Sequence, residues 1–585
     1  MSLESLPDPE KPDSDGRRAL ARQQIALGAL APELQAELER SARGRLVARL
    51  WSHDATLWTG GDEGRWLGWL HALEGWRAQR GALRAVAELA ASGRFDSAVV
   101  LGMGGSSLCP DVLSATFAPA AGFPRLRVLD STVPAEVRAL ERSIDLERSL
   151  FFASSKSGST IETSVFKEYF FARLRERLGE REAGARFIAI TDPGSAFEAS
   201  ARREQFAAIL PGEPTIGGRF SALSAFGLGP AAAAGIDVDD FAARAQAMIA
   251  ACATETPAQN PGAALGIALG VCAKRGIDKL TIVASPPIES LGAWLEQLIA
   301  ESTGKSGHGI VPIADEALGA SARYGDDRVF AYLRVAGAAS PAQDQAIEAL
   351  AASGRPVVRI ELAEPADIAQ EFFRWEIATA VAGAVLGVHP FDQPDVEAAK
   401  VAARALTAAY ERDGSLPEPA PALDSGDLRW FPGAPGGGAS SAEELLAKHL
   451  GSLARGDYFA ITAYVERSAR NIERLQEIRH AVRDASAVAT TLGFGPRFLH
   501  STGQLHKGGP NNGVFLQITA DDAELAIPGR SFGFGVLNRA QAQGDFRVLA
   551  ERGRRLLRVH LRDVERGLDE LVRRVRRAVA GRAAP

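Results

Sequence analysis

The sequence predicts an α/β protein built from two successive doubly wound parallel-sheet domains, with a helical segment before them and a further α/β stretch behind them. Three observations carry that reading. Short apolar runs of β type begin at SAVVL 97–101 and alternate with longer helical patterns, and the rhythm restarts at KLTIVAS 279–285. Strands that alternate with helices imply a parallel sheet covered on both faces. A stretch dense in Pro, Gly and Ser at 412–442 then interrupts the pattern before new β-type runs appear.

Residues 1–94 read as an N-terminal helical segment, because over 17–93 the leucines and Trp51, Trp58, Trp66, Trp69 and Trp76 are spaced among Arg and Glu as on amphipathic helices. Tryptophans so arranged are expected in a core. The first sheet domain, 95–245, is expected to use SAVVL 97–101, RLRVLD 125–130, LFFAS 150–154 and RFIAIT 186–191. The second, 246–411, is expected to use KLTIVAS 279–285, RVFAYLRV 328–335 and PVVRIEL 356–362, ending in helical stretches at 365–386 and 394–411. Nothing in 412–442 repeats with period 2 or 3.6, which predicts a linker or long surface loop. The C-terminal stretch, 443–585, offers YFAITAYV 458–465, GVFLQIT 513–519 and RRLLRVHL 554–561 as strands. Its basic tail, VRRVRRAVAGR 572–582, reads as a solvated helix face.

Composition narrows the function. With 585 residues, 46% hydrophobic and 24% charged, the chain can bury real cores and is not disordered. Its 66 basic and 72 acidic residues give a formal charge of -6, which offers no field for gripping nucleic acid or an anionic membrane. Any anion must be bound locally. Cys109, Cys252 and Cys272 form no CxxC pair, which argues against a disulfide framework and a structural zinc site and points to a reducing cytoplasm. The N-terminus, MSLESLPDPEKPDSDGRR, has no apolar core and is not expected to be a secretory signal. No run approaches the roughly 18 apolar residues of a membrane span.

In α/β sheets ligands sit beyond the carboxyl ends of strands, so the loops after the β-runs are the places to look. The first empties into GMGGSSLCP 102–110, where Gly102, Gly104 and Gly105 permit a tight turn with exposed N–H groups, followed by Ser106 and Ser107. Ser107 stands where a dinucleotide fingerprint needs its third glycine, and no Walker lysine follows. The loop SSKSGSTIET 154–163 leads into a helix and gathers Ser155, Lys156, Ser157, Ser159 and Thr160 at its start, an inventory that fits a phosphate monoester; the plainer reading is a helix cap. A third loop, TIGGRFSALSAFG 215–227, presents Arg219 after two glycines, a fixed cation able to stabilise an oxyanion. In LGAWLEQLIAESTGK 291–305, Gln297 and Glu301 are four apart and share a helix face; in HPFDQPDVEAAK 389–400, Gln393 and Lys400 are seven apart and are expected to share one too.

Together these five segments resemble the phosphoglucose isomerase family, built from two sugar-isomerase (SIS) domains, over roughly 95–411 and in the family's own order. GGSS 104–107 and SKSGSTIET are similar to its phosphate loops, IGGRFSALSAFG to its GGRxS signature, QLIAESTGK to the segment of its catalytic base, and FDQPDVEAAK to its late glutamine–lysine helix. The wording also resembles the isomerase half of bifunctional transaldolase–phosphoglucose isomerase fusions. A transaldolase barrel takes about 250 residues, and too few precede the first SIS strand to hold one.

The resemblance implies interconversion of glucose 6-phosphate and fructose 6-phosphate through a cis-enediol, with Glu301 carrying the proton between C2 and C1, Arg219 and Gln393 stabilising charge on the sugar oxygens, and Lys400 with a histidine opening the ring. Gly105, Ser106, Ser155, Lys156, Ser157 and Thr160 would hold the phosphate, with Glu162 and Gln297 supporting the site. It implies a homodimer, and neither metal nor nucleotide cofactor. One feature departs from the family. The motif similar to LHSxGQ, expected between Glu301 and Gln393, occurs instead as FLHSTGQLHKGG at 498–509. His500 takes the family's histidine position only if the C-terminal stretch docks back on the second SIS domain; His308 and His389 are the alternatives. Two rival functions are a non-catalytic phosphosugar-binding SIS protein, against which Glu301 and Lys400 in matching contexts count, and an isomerase of broader specificity that also takes mannose 6-phosphate.

Overall fold

The computed structural model describes residues 22–433 and 440–580, so the N-terminal stretch read for a signal lies outside the described residues. Three sheets form. The first has the order Arg125–Leu129, Ser97–Leu101, Ser149–Ser154, Phe187–Thr191, Ala208–Pro211, all parallel. Its central strands SAVVL, SLFFAS and FIAIT are buried at every position, as strands covered on both faces must be.

The second sheet has the order Arg22–Ala26, Val357–Leu362, Arg328–Val335, Lys279–Ala284, Val311–Ile313. The third has the order Leu423–Ser425, Leu428–Pro432, Arg555–Leu561, Gly513–Ala520, Tyr458–Tyr464, Ala489–Phe494. In each sheet one strand is flanked by the next strand on one side and the one after on the other: Ser97–Leu101, Lys279–Ala284 and Tyr458–Tyr464. Chain direction diverges there, and the loops beyond those strand ends frame a crevice.

The structure departs from the sequence reading in four places. The N-terminal segment is not wholly helical, since Arg22–Ala26 adds an antiparallel edge to the second sheet, with Gln23 and Ile25 turned inward. The stretch 412–442 carries two strands, and Leu428–Pro432 pairs antiparallel with Arg555–Leu561, burying Leu428 and Trp430; the flanking Gly and Pro hid that short alternation. The helix Val238–Cys252 runs across the expected border at 245/246, started by the Asp237 carboxylate accepting from the Asp239 and Asp240 N–H groups. Finally, Ala208–Pro211 and Val311–Ile313 are too short to announce themselves, and Ala489–Phe494 contains Thr, Thr and Gly.

The third sheet is joined to the second through a fully buried carboxylate. Glu316 lies 2.8 Å from Arg328, 3.6 Å from Arg483 and 3.9 Å from Arg479, the last two on the helix Ala469–Ser486. Arg479 also donates to the Thr490 carbonyl and Arg483 to the Ala317 carbonyl. Burial pushes the Glu316 carboxyl up, but the three arginines pull harder and hold it below the usual carboxylate range. Removing one partner of a buried ionic cluster leaves the others uncompensated, so Glu316→Gln is expected to cost about 3–5 kcal/mol at neutral pH. The deficit shrinks as acid protonates the wild-type carboxylate, because a depressed folded-state pKa contributes stability that is lost as pH falls. Denaturant titration at pH 7 and pH 4 checks both; equal stability of the two proteins at pH 7 would contradict the assignment.

Candidate active site

The site begins where two glycine-rich loops touch. Beyond Ser97–Leu101 the chain turns through Gly104, at φ +55°, where a Cβ would meet the Gln297 amide and the His500 carbonyl. At Gly105 a Cβ would lie 2.0 Å from the Gly218 carbonyl oxygen, so the loop carrying Ser106 and the loop carrying Arg219 press backbone on backbone. Behind Arg219, Phe220 stacks on buried Trp69 at 5.1 Å and meets Phe391 at 5.2 Å. The N-terminal tryptophan helps fix a site loop through the core.

Arg219 is 2% exposed. Its Nε donates to Ser302 Oγ (2.7 Å), its Nη1 to Gln393 Oε1 (2.9 Å), and its Nη2 to the carbonyls of Pro390 (2.7 Å) and Asp392 (2.9 Å). Nη1 also lies 3.6 Å from Glu301 Oε1. Glu301, 7% exposed on the helix Leu291–Thr303, accepts at its other oxygen from Gln297 Nε2 (3.1 Å), one turn back. The base candidate is therefore a largely buried carboxylate held between a fixed cation and an amide donor.

His500 stands beside this cluster, delivered by the turn that follows Ala489–Phe494. Its carbonyl accepts from Gln297 Nε2 (2.8 Å) and its Nε2 bonds Glu162 Oε1 (3.0 Å). Burial pushes the Glu162 carboxyl up, yet the charge and hydrogen bond of His500 outweigh it and hold it low. The turn is clamped on both sides. Arg497 reaches Asp111 (2.7 Å) and Asp130 (3.0 Å) below the first sheet's switch point, while Gln504 donates to the Gly304 carbonyl (3.0 Å) and the Asp395 carboxylate (2.6 Å). The C-terminal stretch thus docks against both preceding domains.

His500 and Glu162 line a cavity of about 330 Å³ with Ser157, Ser159, Thr160 and Lys400. Thr160 precedes the helix Ile161–Leu178 but makes no side-chain cap, and instead accepts from Ser155 Oγ (3.2 Å). The helix N-terminus is left without a side-chain cap beside a cluster of hydroxyls, an arrangement suited to an anion.

Not every expected residue joins this group. Lys156 pairs with Asp192 at 2.5 Å and donates to the Glu213 and Pro214 carbonyls, so its ammonium is held by the protein itself. Gln393 and Lys400 do not share a helix face, because the helix Pro394–Asp413 starts after Gln393 with proline in its first turn; Gln393 turns to Arg219 and Lys400 to the cavity. His389 is occupied, its Nε2 on Asp62 (2.9 Å) and its Nδ1 accepting from the Phe391 N–H (3.1 Å), and His308 is exposed. Sequence reasoning missed Lys305, Gln504 and Gln541. Lys305 is buried, donates to the His389 carbonyl and lies 2.8 Å from Asp392. Burial, with Arg219 nearby, pulls its pKa down to about 7. Lys305 and Gln504 stand inside quoted motifs and were open to notice; Gln541 stands in none.

A family model described as phosphoglucose isomerase matches residues 87–318. The glucose-6-phosphate isomerase of Rubrobacter xylanophilus is 32% identical over 367 residues, spanning 54% of this chain and 84% of that protein. The chain belongs to the phosphoglucose isomerase family. Within that family, the glucose-6-phosphate isomerase of Thermus thermophilus is 31% identical over 414 residues, 63% of this chain and 94% of the relative. In fold it matches a solved hypothetical protein of Thermus thermophilus at TM-score 0.56, 27% identical, over 66% of this chain and 99% of that one. The glucose-6-phosphate isomerase of Chlamydia trachomatis matches at TM-score 0.50, 19% identical, over 63% of this chain and 78% of that one. The family model ends before Gln393, Lys400 and His500.

The contact between the glycine loops is the most direct test of this architecture. Gly105→Ala must displace the Gly218 backbone, and with it the neighbouring Arg219, from its present position. A displacement of that order is expected to lower turnover by about 10²-fold. Steady-state kinetics beside a thermal melt checks it, and wild-type turnover would show that the loops are not in contact.

Proposed function

We propose that this chain interconverts glucose 6-phosphate and fructose 6-phosphate, with Glu301 moving the proton between C2 and C1 of a cis-enediol. The observation that supports it best is the meeting of two functional groups on one turn. Through its carbonyl His500 joins the helix of Glu301, and through its ring it joins Glu162 beside the hydroxyl loop and Lys400. A carboxylate placed for proton transfer and an acid–base pair placed for ring opening are the two requirements of an aldose–ketose isomerisation that starts from a cyclic sugar.

In this reading the phosphate rests on Ser155, Ser157, Thr160 and the start of Ile161–Leu178, with Gly105 and Ser106 on the loop that follows the adjacent parallel strand Ser97–Leu101. The ring-opening pair is His500 and Lys400. Arg219 acts as a preorganised cation, costing no reorganisation as charge develops on the sugar oxygens. Lys156 acts indirectly, tying its loop to Asp192. A homodimer is what the family resemblance implies. The free, buried Cys109, Cys252 and Cys272 support a cytoplasmic setting. Among the described residues no helix is long and apolar enough to cross a membrane.

Glu301→Gln preserves size and the contact with Gln297 but cannot take a proton. It is expected to fold and to lose isomerisation by at least about 10²-fold. Deuterium exchange at C2 in D₂O, followed by NMR, should vanish with it; exchange at the wild-type rate would remove Glu301 as the base.

His500→Ala addresses ring opening. Turnover of cyclic fructose 6-phosphate should fall, with a much smaller effect on 5-deoxyfructose 6-phosphate, which lacks the O5 needed to close a furanose. Equal loss on both substrates would assign His500 to another role.

A further inference from the structure

Glu162 takes a second hydrogen bond from a part of the chain that no site motif covers. Its Oε1, which meets His500 Nε2, also accepts from Gln541 Nε2 at 2.6 Å. Gln541 lies on the helix Phe534–Glu551, 3% exposed, and its Oε1 accepts from Thr132 Oγ1 at 2.7 Å. Thr132 follows Arg125–Leu129 and is fully buried. Four side chains from distant parts of the sequence therefore form one line: Thr132, Gln541, Glu162, His500.

The chemistry of the line fixes its direction. An ionised carboxylate only accepts, so the amide must present its NH₂ to Glu162, which leaves its carbonyl to face Thr132. The threonine hydroxyl must then donate. At the other end, Glu162 can bond His500 Nε2 only if that nitrogen carries a hydrogen. Nδ1, which makes no hydrogen bond among the described residues, is left as the nitrogen that gains and loses a proton. The other charged groups lining the cavity are Glu397, Lys400 and Arg404 on the helix Pro394–Asp413, and Arg530. Arg404 pairs with Glu397, and Arg530 pairs with Glu168 at 2.7 Å. Gln541 and Thr132 are neutral; Gln541 lines the cavity beside Glu162 and Thr132 stands behind it, and both bear on His500 through Glu162.

We propose that Gln541 and Thr132 are positioning residues for ring opening: the pair holds the Glu162 carboxylate in the one orientation that keeps hydrogen on His500 Nε2 and leaves Nδ1 free for proton exchange. This inference rests on the ring-opening role given to His500 above. Without the Gln541 amide, Glu162 loses one donor and is free to rotate about its terminal torsion. Without the Thr132 hydroxyl, the amide is free to flip and turn its oxygen on the carboxylate.

The test compares the full-length protein with Gln541→Met, Thr132→Val and Thr132→Ser on two substrates, cyclic fructose 6-phosphate and the obligate open-chain 5-deoxyfructose 6-phosphate. Gln541→Met is expected to slow the cyclic substrate about tenfold while changing the open-chain substrate by less than about twofold. Thr132→Val should show the same split in smaller measure, Thr132→Ser should restore wild-type behaviour, and the double variant should be no worse than Gln541→Met alone. Loss spread equally over both substrates marks a merely structural role and overturns the proposal, as does no loss on the cyclic one. If Gln541→Met does not fold, the contrast between Thr132→Val and Thr132→Ser decides by the same criteria. A Glu301→Gln enzyme that still turns over would bring down the functional reading and this inference together. An inactive Glu301→Gln beside an unsplit Gln541→Met overturns the inference alone.

Discussion

A guanidinium taken out of water must find an acceptor for nearly every N–H it carries, and Arg219 meets that demand on two segments at once. Ser302 comes from the base helix, and Gln393 with the Pro390 and Asp392 carbonyls from the turn before Pro394–Asp413. Its own loop rests on Gly105. Neither the base helix nor that turn can move without leaving a donor unpaired in a place water does not reach, so the spacing between base and glutamine is set by one side chain. The same residue leaves a cation 3.6 Å from Glu301, which makes the structural anchor an electrostatic component as well. Lys305 repeats the device from the far side, gripping the His389 carbonyl and the Asp392 carboxylate.

The second constraint is delivery of a histidine from the wrong end of the chain. A turn inserted between two sheets must be held on both faces, and Arg497 with Gln504 does this through groups the first two domains already bury: Asp111 and Asp130 on one side, the Gly304 carbonyl and Asp395 on the other. Gly304 is required at its position, because a Cβ there would strike the Leu505 backbone at 2.4 Å. Catalytic geometry depends on where groups lie and not on their order, and here a third sheet, fastened to the second through Glu316, supplies a position that the family motif holds elsewhere in the chain.

What the sequence disclosed follows from which forces are local. Long apolar runs such as SLFFAS and RVFAYLRV are strands because nothing else buries them, and they are legible. Val311–Ile313 and Leu428–Pro432 are strands because a neighbour's edge is open to them, and nothing in their own short runs announces that neighbour. The site divides in the same way. Gln297 and Glu301 share a face by helical spacing alone, and their hydrogen bond could be foreseen. The partner of Lys156, a carboxylate on another loop, could not, whereas the break after Gln393 is announced by Pro394 at the helix start. Gln541 is the extreme case: it sits on a helix with no motif, and only the docking of that helix against Glu162 gives it a role.

The two groups of the proposed mechanism, Glu301 as base and His500 as ring opener, are built on different supports. The base side rests on Arg219, Gln297 and Ser302, all contributed by the first two sheet domains and the helices on them. The ring-opening side rests on Glu162 from the first domain but on His500 and Gln541 from the third. The backbone of His500 touches both, through Gln297. A small shift of the third sheet therefore reaches the imidazole directly, through its own main chain and through the amide behind Glu162, and reaches the Glu301 carboxylate one step removed, through Gln297. Proton transfer between carbons tolerates little misplacement, since one carboxylate must face two atoms; ring opening passes a proton between heteroatoms and is the more forgiving step. With this reading the chain places its more exacting chemistry between the first two sheet domains and its less exacting chemistry against the third sheet.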